Sequence, residues 1–318
     1  MTTRELIINS LQPIIASPKY VFINREKLKE IAKKFLDKPI PPWNNELQFL
    51  GTPEQTAQYY FFLDSINFCF WAPKGEERWS YKVGDEWIAG YYAYSRAIKD
   101  AFVNDPRFFD AKYLSVISEK DFKNIFQGKN TLLLLDERLS IIHENFRILD
   151  EKFGGQAINL IKQANGDVDN FVKLVLENFP SFRDIIEIDN QKYNFLKRVQ
   201  IFPSDLSFTG LKELKFSNLN HLTIFADYKL PQILESLGVL EYSEELNFDI
   251  VNEILIPKDS LKEMEIRASS IIATEQMREE LVEFGRDITT NELDWILWVE
   301  AKATKFEKPH HKTLSTFY

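Results

Sequence analysis

The chain has 318 residues, 44% of them hydrophobic, which is enough for a sizeable core in one large domain or two closely packed lobes. Its formal net charge of −9 argues against a general nucleic-acid-binding protein, whose phosphate contacts need a basic surface, but it leaves room for a nucleotide monomer. The one cysteine, Cys69, excludes a disulfide framework and a thiolate metal site, and no apolar run is long enough for a membrane span, so we expect a soluble cytoplasmic protein.

Helical periodicity dominates the first half of the chain. Residues 25–36 carry apolar side chains on one face and lysines on the other, before a proline-rich break. The apolar stretch 54–71 is most easily interpreted as a buried helix. Residues 73–87 combine turn formers with alternating aromatics, which favours a hairpin or an ordered loop. Further helices are predicted at about residues 88–104, 119–126, 135–153, 156–164 and 168–177.

The stretch 185–206 begins with apolar alternation around Asp189 and Asn190, which predicts a short hairpin. It continues as a helix from Lys197 to Ile201.

Beyond it, residues 222–225 could form a strand or a buried turn. Pro231 suits the first turn of a helix that ends at Gly238. Capping-box patterns then predict the starts of two more helices: Ser260 with Glu263, running to about residue 284, and Thr289 with Glu292.

Helix therefore predominates, with minor strand and no internal repeat. We predict a mainly α fold in one compact domain over residues 1–318, with two lobes over about 1–180 and 181–318 as the alternative arrangement.

Two aspartates lie among large apolar side chains, Asp227 in 225-FADYKLPQ-232 and Asp294 in 290-TNELDWILW-298. A carboxylate in such surroundings is costly unless it is paired or functional. Asp294 could be a structural residue that pairs with an arginine or a buried loop. Alternatively, a carboxylate near a helix N-terminus, where the dipole favours an anion, could stabilise a developing cation or attack it.

Asp227 also has two interpretations. It could cap the helix that contains Pro231. It could instead accept hydrogen bonds from paired N–H donors of a ligand, while Phe225 offers a ring face for stacking.

Two further polar pairs are candidates for supporting or binding roles. Asp64 and Asn67 lie inside an otherwise apolar segment, either as a buried network or as support behind a site. Lys197 and Arg198 could form a solvated face or bind one phosphate.

Several motifs are missing from the sequence. It contains no Walker loop, no GxGxxG, no HExxH and no GxSxG, and its histidines lack the helical spacing of a metal pair. These absences argue against zinc hydrolysis, serine hydrolysis and Rossmann redox chemistry, and we predict no metal and no cofactor.

The same segments resemble the queuosine salvage proteins, the family of queuosine 5′-phosphate N-glycosylases/hydrolases. The similarity runs in order along about 250 residues, through 61-FFLDSINFCFW-71, 197-KRVQI-201, 225-FADYKLPQILESLGVLEYS-243, 265-EIRASSI-271, 293-LDWILW-298 and the tail HHKTLSTFY.

The resemblance implies a fold similar to the helix-hairpin-helix DNA glycosylases. It also implies hydrolysis of the N-glycosidic bond of queuosine 5′-phosphate, with queuine as the product. Asp294 would then be the nucleophile or transition-state stabiliser, Asp227 would bind the base, and Phe225 would stack on it. The family also has an upstream histidine that contacts the ligand, but the corresponding stretch here, 43-WNNELQFLG-51, contains none.

This chemistry agrees with the residues, because an oxocarbenium-like transition state places positive charge where a buried carboxylate attracts it. Queuine is a 7-deazapurine without a ready protonation site at position 7, so charge stabilisation at the sugar should outweigh acid catalysis. The predicted substrate-binding set comprises Phe225, Asp227, Asn291, Trp295, Lys197 and Arg198, with Asp64 and Asn67 behind them.

Two rival functions remain open at this point. The first is a non-catalytic protein that binds queuine or a nucleotide. The second is a DNA glycosylase acting on flipped bases, which would need the basic duplex-binding face that the charge balance argues against. We expect neither a nucleic-acid polymer nor a membrane as partner, and the sequence leaves the oligomeric state open.

Overall fold

The computed structural model describes residues 1–42 and 45–318, and most of this chain is helical. The helices are α1 (Thr3–Ala16), α2 (Arg25–Phe35), α3 (Pro53–Ser65), α4 (Tyr91–Asn104), α5 (Ala111–Leu114), α6 (Glu119–Ile125), α7 (Leu135–Phe153), α8 (Ile158–Gln163), α9 (Val168–Asn178), α10 (Lys197–Phe208), α11 (Lys229–Ser236), α12 (Glu244–Val251), α13 (Leu261–Glu283) and α14 (Thr290–Ala303). The strands are β1 (Val21–Ile23), β2 (Ser80–Val83), β3 (Glu86–Ala89), β4 (Ile185–Ile188), β5 (Gln191–Asn194) and β6 (Leu240–Tyr242).

The prediction of a mainly α fold with minor β hairpins is confirmed in its helix content, and the strands form small antiparallel sheets. Helices α2, α7 and α9 begin and end within a residue of their predicted bounds, because each has a clear apolar stripe and a clear stop. Helix α4 starts three residues later than predicted, because residues 86–89 pair in a hairpin instead.

The capping boxes had different outcomes. At α14 the Thr289 hydroxyl accepts from the Glu292 amide and the Glu292 carboxylate accepts from the Thr289 amide, which confirms the predicted box. At α13 the Ser260 hydroxyl caps the Glu263 amide, but the Glu263 carboxylate accepts from the amide of Asp259. The predicted box at Ser260 is therefore only half formed.

The predicted helix over 54–71 is wrong beyond Ser65, where α3 ends. The following segment, residues 66–72, is irregular and fully buried, with Cys69 at a positive φ of 55°. Its carbonyl groups accept hydrogen bonds from the buried guanidinium of Arg138, which donates to Ile66 and Phe68. An arginine from a distant helix thus replaces the local helical hydrogen bonds.

Helix α10 is longer than predicted. It runs past the predicted end at Ile201 to Phe208, with Pro203 inside it. Tertiary burial keeps this helix intact through the proline. Residues 222–225 form no strand, which leaves the buried-turn alternative.

In the described part of the chain, the strands form three two-stranded antiparallel sheets: β2 with β3, β4 with β5, and β1 with β6. In the β4–β5 hairpin the turn residues Asp189 and Asn190 have φ angles of 49° and 63°, as a tight primed turn requires. The β1–β6 pair joins residues 21–23 to residues 240–242, so it connects the N-terminal region to the last third of the chain.

A continuous apolar core extends from α1 to the C-terminal Tyr318. Helix α10 packs against α3 and α9, and α11 packs against α14, so the segments singled out in the sequence converge on one region. Among the described residues, no helix is both long enough and apolar enough to cross a membrane.

Candidate active site

A cavity of about 870 Å³, counted to its open mouth, lies where α10, α11 and α14 meet the amino end of α4. Its walls include seven residues predicted from the sequence: Asn67, Lys197, Phe225, Asp227, Asn291, Asp294 and Trp295. Tertiary folding thus brings most of the predicted site together.

Asp294 lies on the cavity wall, in the second turn of α14, with 5% of its surface exposed. Its Oδ1 accepts a hydrogen bond from the Phe225 amide at 2.8 Å. Burial raises the pKa of the Asp294 carboxyl to about 8, an effect that the Phe225 N–H and the Lys197 ammonium oppose and that Asp227 increases. Asp294 lies beyond the first turn of α14, whose acidic residue is Glu292. The helix dipole therefore acts on Asp294 less directly than the sequence suggested.

The structure confirms the capping role of Asp227 and leaves one of its oxygens facing the cavity. Its Oδ1 accepts from the amides of Lys229 at 2.7 Å and Leu230 at 3.0 Å, so it caps the start of α11. Its Oδ2 accepts no hydrogen bond from the part of the chain that the structure describes, and the residue lines the cavity. One carboxylate oxygen therefore organises the helix, and the other is available to a ligand.

Lys197 and Arg198 are adjacent in sequence but face different surroundings. Lys197 lines the cavity, and its Nζ donates to the carbonyl of Asn67 at 2.9 Å. Burial lowers the pKa of Lys197 to about 8, although the carboxylates of Asp227 and Asp64 raise it.

Arg198 does not line the cavity, and its guanidinium donates to the carbonyls of Ser65 and Ser181. The prediction that Arg198 binds a phosphate does not fit this geometry. Arg198 instead joins the end of α3 to the segment before β4.

The predicted supporting pair lies directly behind the cavity. Asn67 donates to Asp64 Oδ1 at 3.3 Å, and Asn67 itself reaches the cavity wall. Asp64 is fully buried, and burial raises its pKa to about 7, against the opposing effects of Asn67, Lys197 and Arg198.

Asn291 and Trp295 both line the cavity from α14. The Asn291 side-chain oxygen accepts from the Ser204 hydroxyl at 2.8 Å, which fixes the amide orientation. Trp295 donates to the carbonyl of Pro41 and stacks on Trp298, with ring centroids 5.4 Å apart and planes 12° apart. The two indoles form a flat apolar wall that suits an aromatic base.

The sequence analysis missed Asp205, a third acid on the cavity wall. Burial, reinforced by Asp64, holds the pKa of the Asp205 carboxyl well above its usual range, and the Tyr91 hydroxyl lies 3.5 Å from it. Asp205 follows Lys197 by eight residues, so the two share a face of α10. That spacing was visible in the sequence, but the predicted helix stopped at Ile201.

Residues 43 and 44, the start of the stretch that lacks the family histidine, lie outside the described residues. Farther along that stretch, Gln48 donates to the Tyr91 hydroxyl at 2.9 Å and accepts from Tyr60. The stretch therefore reaches the cavity through Tyr91, which lines it.

Three cations, Arg78, Lys229 and Lys302, also line the cavity, and Arg78 and Lys302 are exposed to solvent. They come from three distant segments, so no local sequence pattern could have grouped them. Within residues 1–42 and 45–318, no group of three or more histidine, cysteine, aspartate or glutamate side chains is arranged to hold a metal ion.

Comparison with known proteins gives a consistent result. A family model described as "Queuosine salvage protein" matches residues 12–318. A protein of Sphaerobacter thermophilus is 34% identical over 317 residues, covering 98% of this chain and 97% of its own. Proteins of Dictyostelium discoideum (35% identity, 93% of this chain and 89% of the relative) and Mus musculus (30% identity, 94% of each) are also similar. All three relatives carry the name queuosine 5′-phosphate N-glycosylase/hydrolase.

Proposed function

The chain belongs to the queuosine salvage protein family, and we propose that it hydrolyses the N-glycosidic bond of queuosine 5′-phosphate. The bond between the anomeric carbon and the base nitrogen breaks, water supplies a hydroxyl group to that carbon, and the base takes up a proton. The products are queuine and ribose 5-phosphate. The observation that carries this proposal is a buried carboxyl, Asp294, on the wall of a cavity that aromatic and cationic side chains also line.

Asp294 acts on the sugar. As the bond breaks, positive charge grows on the anomeric carbon, and an ionised Asp294 stabilises it as an electrostatic partner or as a nucleophile. Lys197 and the Phe225 amide both favour the ionised form in the free protein. The attraction is strong because the surroundings are dry.

The base is bound by aromatic side chains of the cavity wall. Phe225 and the Trp295–Trp298 pair provide ring faces for stacking. Asp227 contributes one oxygen, Oδ2, as an acceptor for an N–H of the base, because its Oδ1 already accepts two backbone amides. A carboxylate that recognises a guanine-like edge usually accepts hydrogen bonds through both oxygens. Here Asp227 has only Oδ2 to offer the base.

Asp205 supplies an acid. Burial and the neighbouring Asp64 raise the pKa of its carboxyl, which favours the protonated form that can donate a hydrogen bond to the substrate or a proton to the departing base. Charge stabilisation at the sugar remains the larger contribution, because the 7-deazapurine lacks a basic N7.

Three expectations from the sequence remain predictions. They are the likeness to helix-hairpin-helix DNA glycosylases, the single domain over residues 1–318, and a cytoplasmic location. The same holds for the exclusion of nucleic-acid polymers as partners.

The test is incubation of the protein with queuosine 5′-phosphate, followed by chromatography for free queuine. We expect the Asp294→Asn variant to lose about 100- to 1,000-fold in kcat while it remains folded and still binds queuine. Circular dichroism and calorimetric titration with queuine provide the controls. Binding without release by the wild-type protein would instead identify a non-catalytic binder.

A further inference from the structure

A chain of hydrogen bonds leads from the buried Gln48 to the cavity. The Gln48 Nε2 donates to the Tyr91 hydroxyl at 2.9 Å, and the Gln48 Oε1 accepts from the Tyr60 hydroxyl at 3.3 Å. Gln48 is 5% exposed and does not line the cavity, whereas Tyr91 does. The Tyr91 hydroxyl lies 3.5 Å from Asp205 Oδ2, a long contact of the kind that tightens when a substrate fills an active site. Gln48 is thus linked to an acid that it does not touch.

The hydrogen bonds in this chain run in one direction, toward Asp205. A tyrosine hydroxyl has one proton, so it can donate one hydrogen bond while it accepts others. Because Tyr91 accepts from the Gln48 N–H, its own proton is available to Asp205 Oδ2. A reversed Gln48 amide would turn its oxygen to Tyr91 and take that proton. The Tyr60 hydroxyl, which donates to Oε1, favours the orientation that the structure shows.

The loop that carries Gln48 is tightly packed against α3. The centroid of the Phe49 ring lies 5.8 Å from that of Tyr59, and the amide of Gly51 donates to the Thr56 hydroxyl at 3.0 Å. A Cβ on Gly51 would lie 2.8 Å from the Phe49 ring, so a larger residue there would displace the ring. Close packing on both sides therefore holds the Gln48 amide in place.

Asp205 is the end of the chain of hydrogen bonds and lines the cavity. Among the described residues its hydrogen bond to Tyr91 uses Oδ2, so Oδ1 remains for a ligand. Burial, Asp64 and Asp294 raise the pKa of the Asp205 carboxyl, whereas the Tyr91 hydroxyl and Lys197 lower it. Burial and the nearby acids also raise the pKa of the Tyr91 phenol well above its usual range, so this hydroxyl keeps its proton at neutral pH.

We infer that Gln48 is a positioning residue for the reaction: through the Tyr91 hydroxyl it keeps Asp205 Oδ2 an acceptor, so that the proton of this acid is held on Oδ1 and faces the substrate. The inference rests on the proposed function, in which Asp205 supplies the acid. It assigns a role in catalysis to a side chain outside the cavity.

The network assists one proton transfer. As the glycosidic bond breaks, the base nitrogen keeps the bonding electron pair and takes the proton from Asp205 Oδ1. The water that adds its hydroxyl group to the anomeric carbon releases a proton, which returns to Asp205. Between these events Asp205 is a carboxylate, and a hydrogen bond from Tyr91 is stronger to a carboxylate than to a neutral acid. The network therefore stabilises the reacting state more than the bound substrate, which raises kcat.

The experiment measures kcat and KM for queuosine 5′-phosphate in the wild-type protein, Gln48→Met, Tyr91→Phe and the double variant. Methionine is as long as glutamine but donates no hydrogen bond. We expect each single change to lower kcat by about tenfold, because a hydrogen bond to a developing carboxylate is weakened or lost. The KM of Gln48→Met should stay within about twofold of the wild-type value, since Gln48 does not contact the substrate.

The double variant tests whether Gln48 acts through Tyr91. In the Tyr91→Phe background, Gln48→Met should change kcat by less than about twofold, because the hydroxyl that transmits its effect is already absent. Losses that multiply in the double variant, or a kcat that neither single change lowers, would overturn the inference. Tyr91→Phe removes a single oxygen atom, so it remains informative if Gln48→Met does not fold.

Gln58→Met is the matched control. Gln58 is 1% exposed, lies outside the cavity lining, donates to the Gly155 carbonyl at 3.1 Å and accepts from the Ala157 amide at 3.0 Å. Its substitution should lower the free energy of unfolding, measured by urea denaturation, and leave kcat within about twofold of the wild-type value. A loss of kcat equal to that of Gln48→Met would mean that Gln48 contributes to packing alone, against the inference.

Infrared difference spectroscopy provides a readout that does not depend on cleavage. The C=O stretch of protonated Asp205, identified at about pH 5 by its loss in Asp205→Asn, should move to higher frequency in Gln48→Met and in Tyr91→Phe, because the carbonyl oxygen accepts a weaker hydrogen bond or none. A wild-type protein that releases no queuine but shows this shift would contradict the proposed function alone. A missing band, or a band that stays in place in both variants, would contradict the positioning role itself.

Discussion

At the scale of single residues, the protonation state of Asp294 decides whether the cavity can act on a glycosidic bond. A neutral carboxylic acid attracts a developing cation far less than a carboxylate does. Burial raises the pKa of Asp294 to about 8, and the charge of the Lys197 ammonium favours the ionised form. Burial thus favours the neutral form of Asp294, whereas the proposed catalysis requires the ionised form.

A pH–rate profile tests this balance. Because Asp294 must be ionised and its pKa is about 8, kcat/KM should rise about tenfold per pH unit below that value and level off above it. The measurement should begin at about pH 6.5, where the substrate phosphate is already mostly a dianion. A rate that is constant or falling between pH 6.5 and 8 would contradict the assignment.

Lys197→Met provides the matched control for this profile. Removing the ammonium removes an influence that lowers the pKa of Asp294, so the rising limb should shift to higher pH. A lower rate at every pH with an unshifted limb would instead mean that Lys197 acts in another way.

At the scale of the elements, an irregular segment that follows a helix shapes the cavity. Residues 66–72 leave the helical path after α3, and this brings Asn67 and Phe70 to the cavity wall. Two buried arginines, Arg138 and Arg198, satisfy the carbonyls that the irregular backbone and the end of α3 expose. Arginine suits this role because its planar guanidinium reaches several carbonyls at once.

Substitution of Arg198 tests the structural role. Arg198→Met leaves the carbonyls of Ser65 and Ser181 without a donor, and it should lower the free energy of unfolding by about 2–4 kcal/mol. Urea denaturation measures the change. The folded variant should still prefer the nucleotide to the nucleoside, since Arg198 lies outside the cavity. Loss of that preference would support the original prediction that Arg198 binds the phosphate.

At the scale of the whole molecule, long-range contacts close the site. Residues 21–23 pair with residues 240–242, and the carbonyl of Tyr318 accepts from the Cys69 amide at 3.0 Å. Tyr318 itself lines the cavity, so the C-terminal tail forms part of the wall. The molecule thus encloses several acids, and their burial should reduce its stability at high pH.

The sign of this effect follows from proton binding. Asp294 has a folded pKa of about 8, above its ordinary value of 3.8, so the folded state holds a proton that the unfolded state has lost between these values. Its contribution to stability is full below about pH 4 and disappears as the pH rises through 8.

Asp294→Asn removes this dependence. The free energy of unfolding of the variant, relative to wild type, should therefore increase by up to about 1.4 kcal/mol per unit between pH 5 and pH 8. Thermal or urea unfolding at several pH values measures the difference. A difference that stays constant with pH would show that Asp294 ionises in the folded protein at its ordinary pKa.

Local patterns in the sequence were sufficient for the periodic helices, the capping box at Thr289, the hairpin turn at Asp189 and the two candidate acids, because these depend on residues within one or two turns of each other. Tertiary structure decided that Lys197 faces the cavity and Arg198 does not, since α10 is buried nearly all round and its apolar pattern does not distinguish its faces. It also decided that Asp205 joins Asp294 in the cavity and that Arg78, Lys229 and Lys302 all line it. Desolvation and charge clustering arise only when distant segments pack together, so neither is encoded in a local pattern.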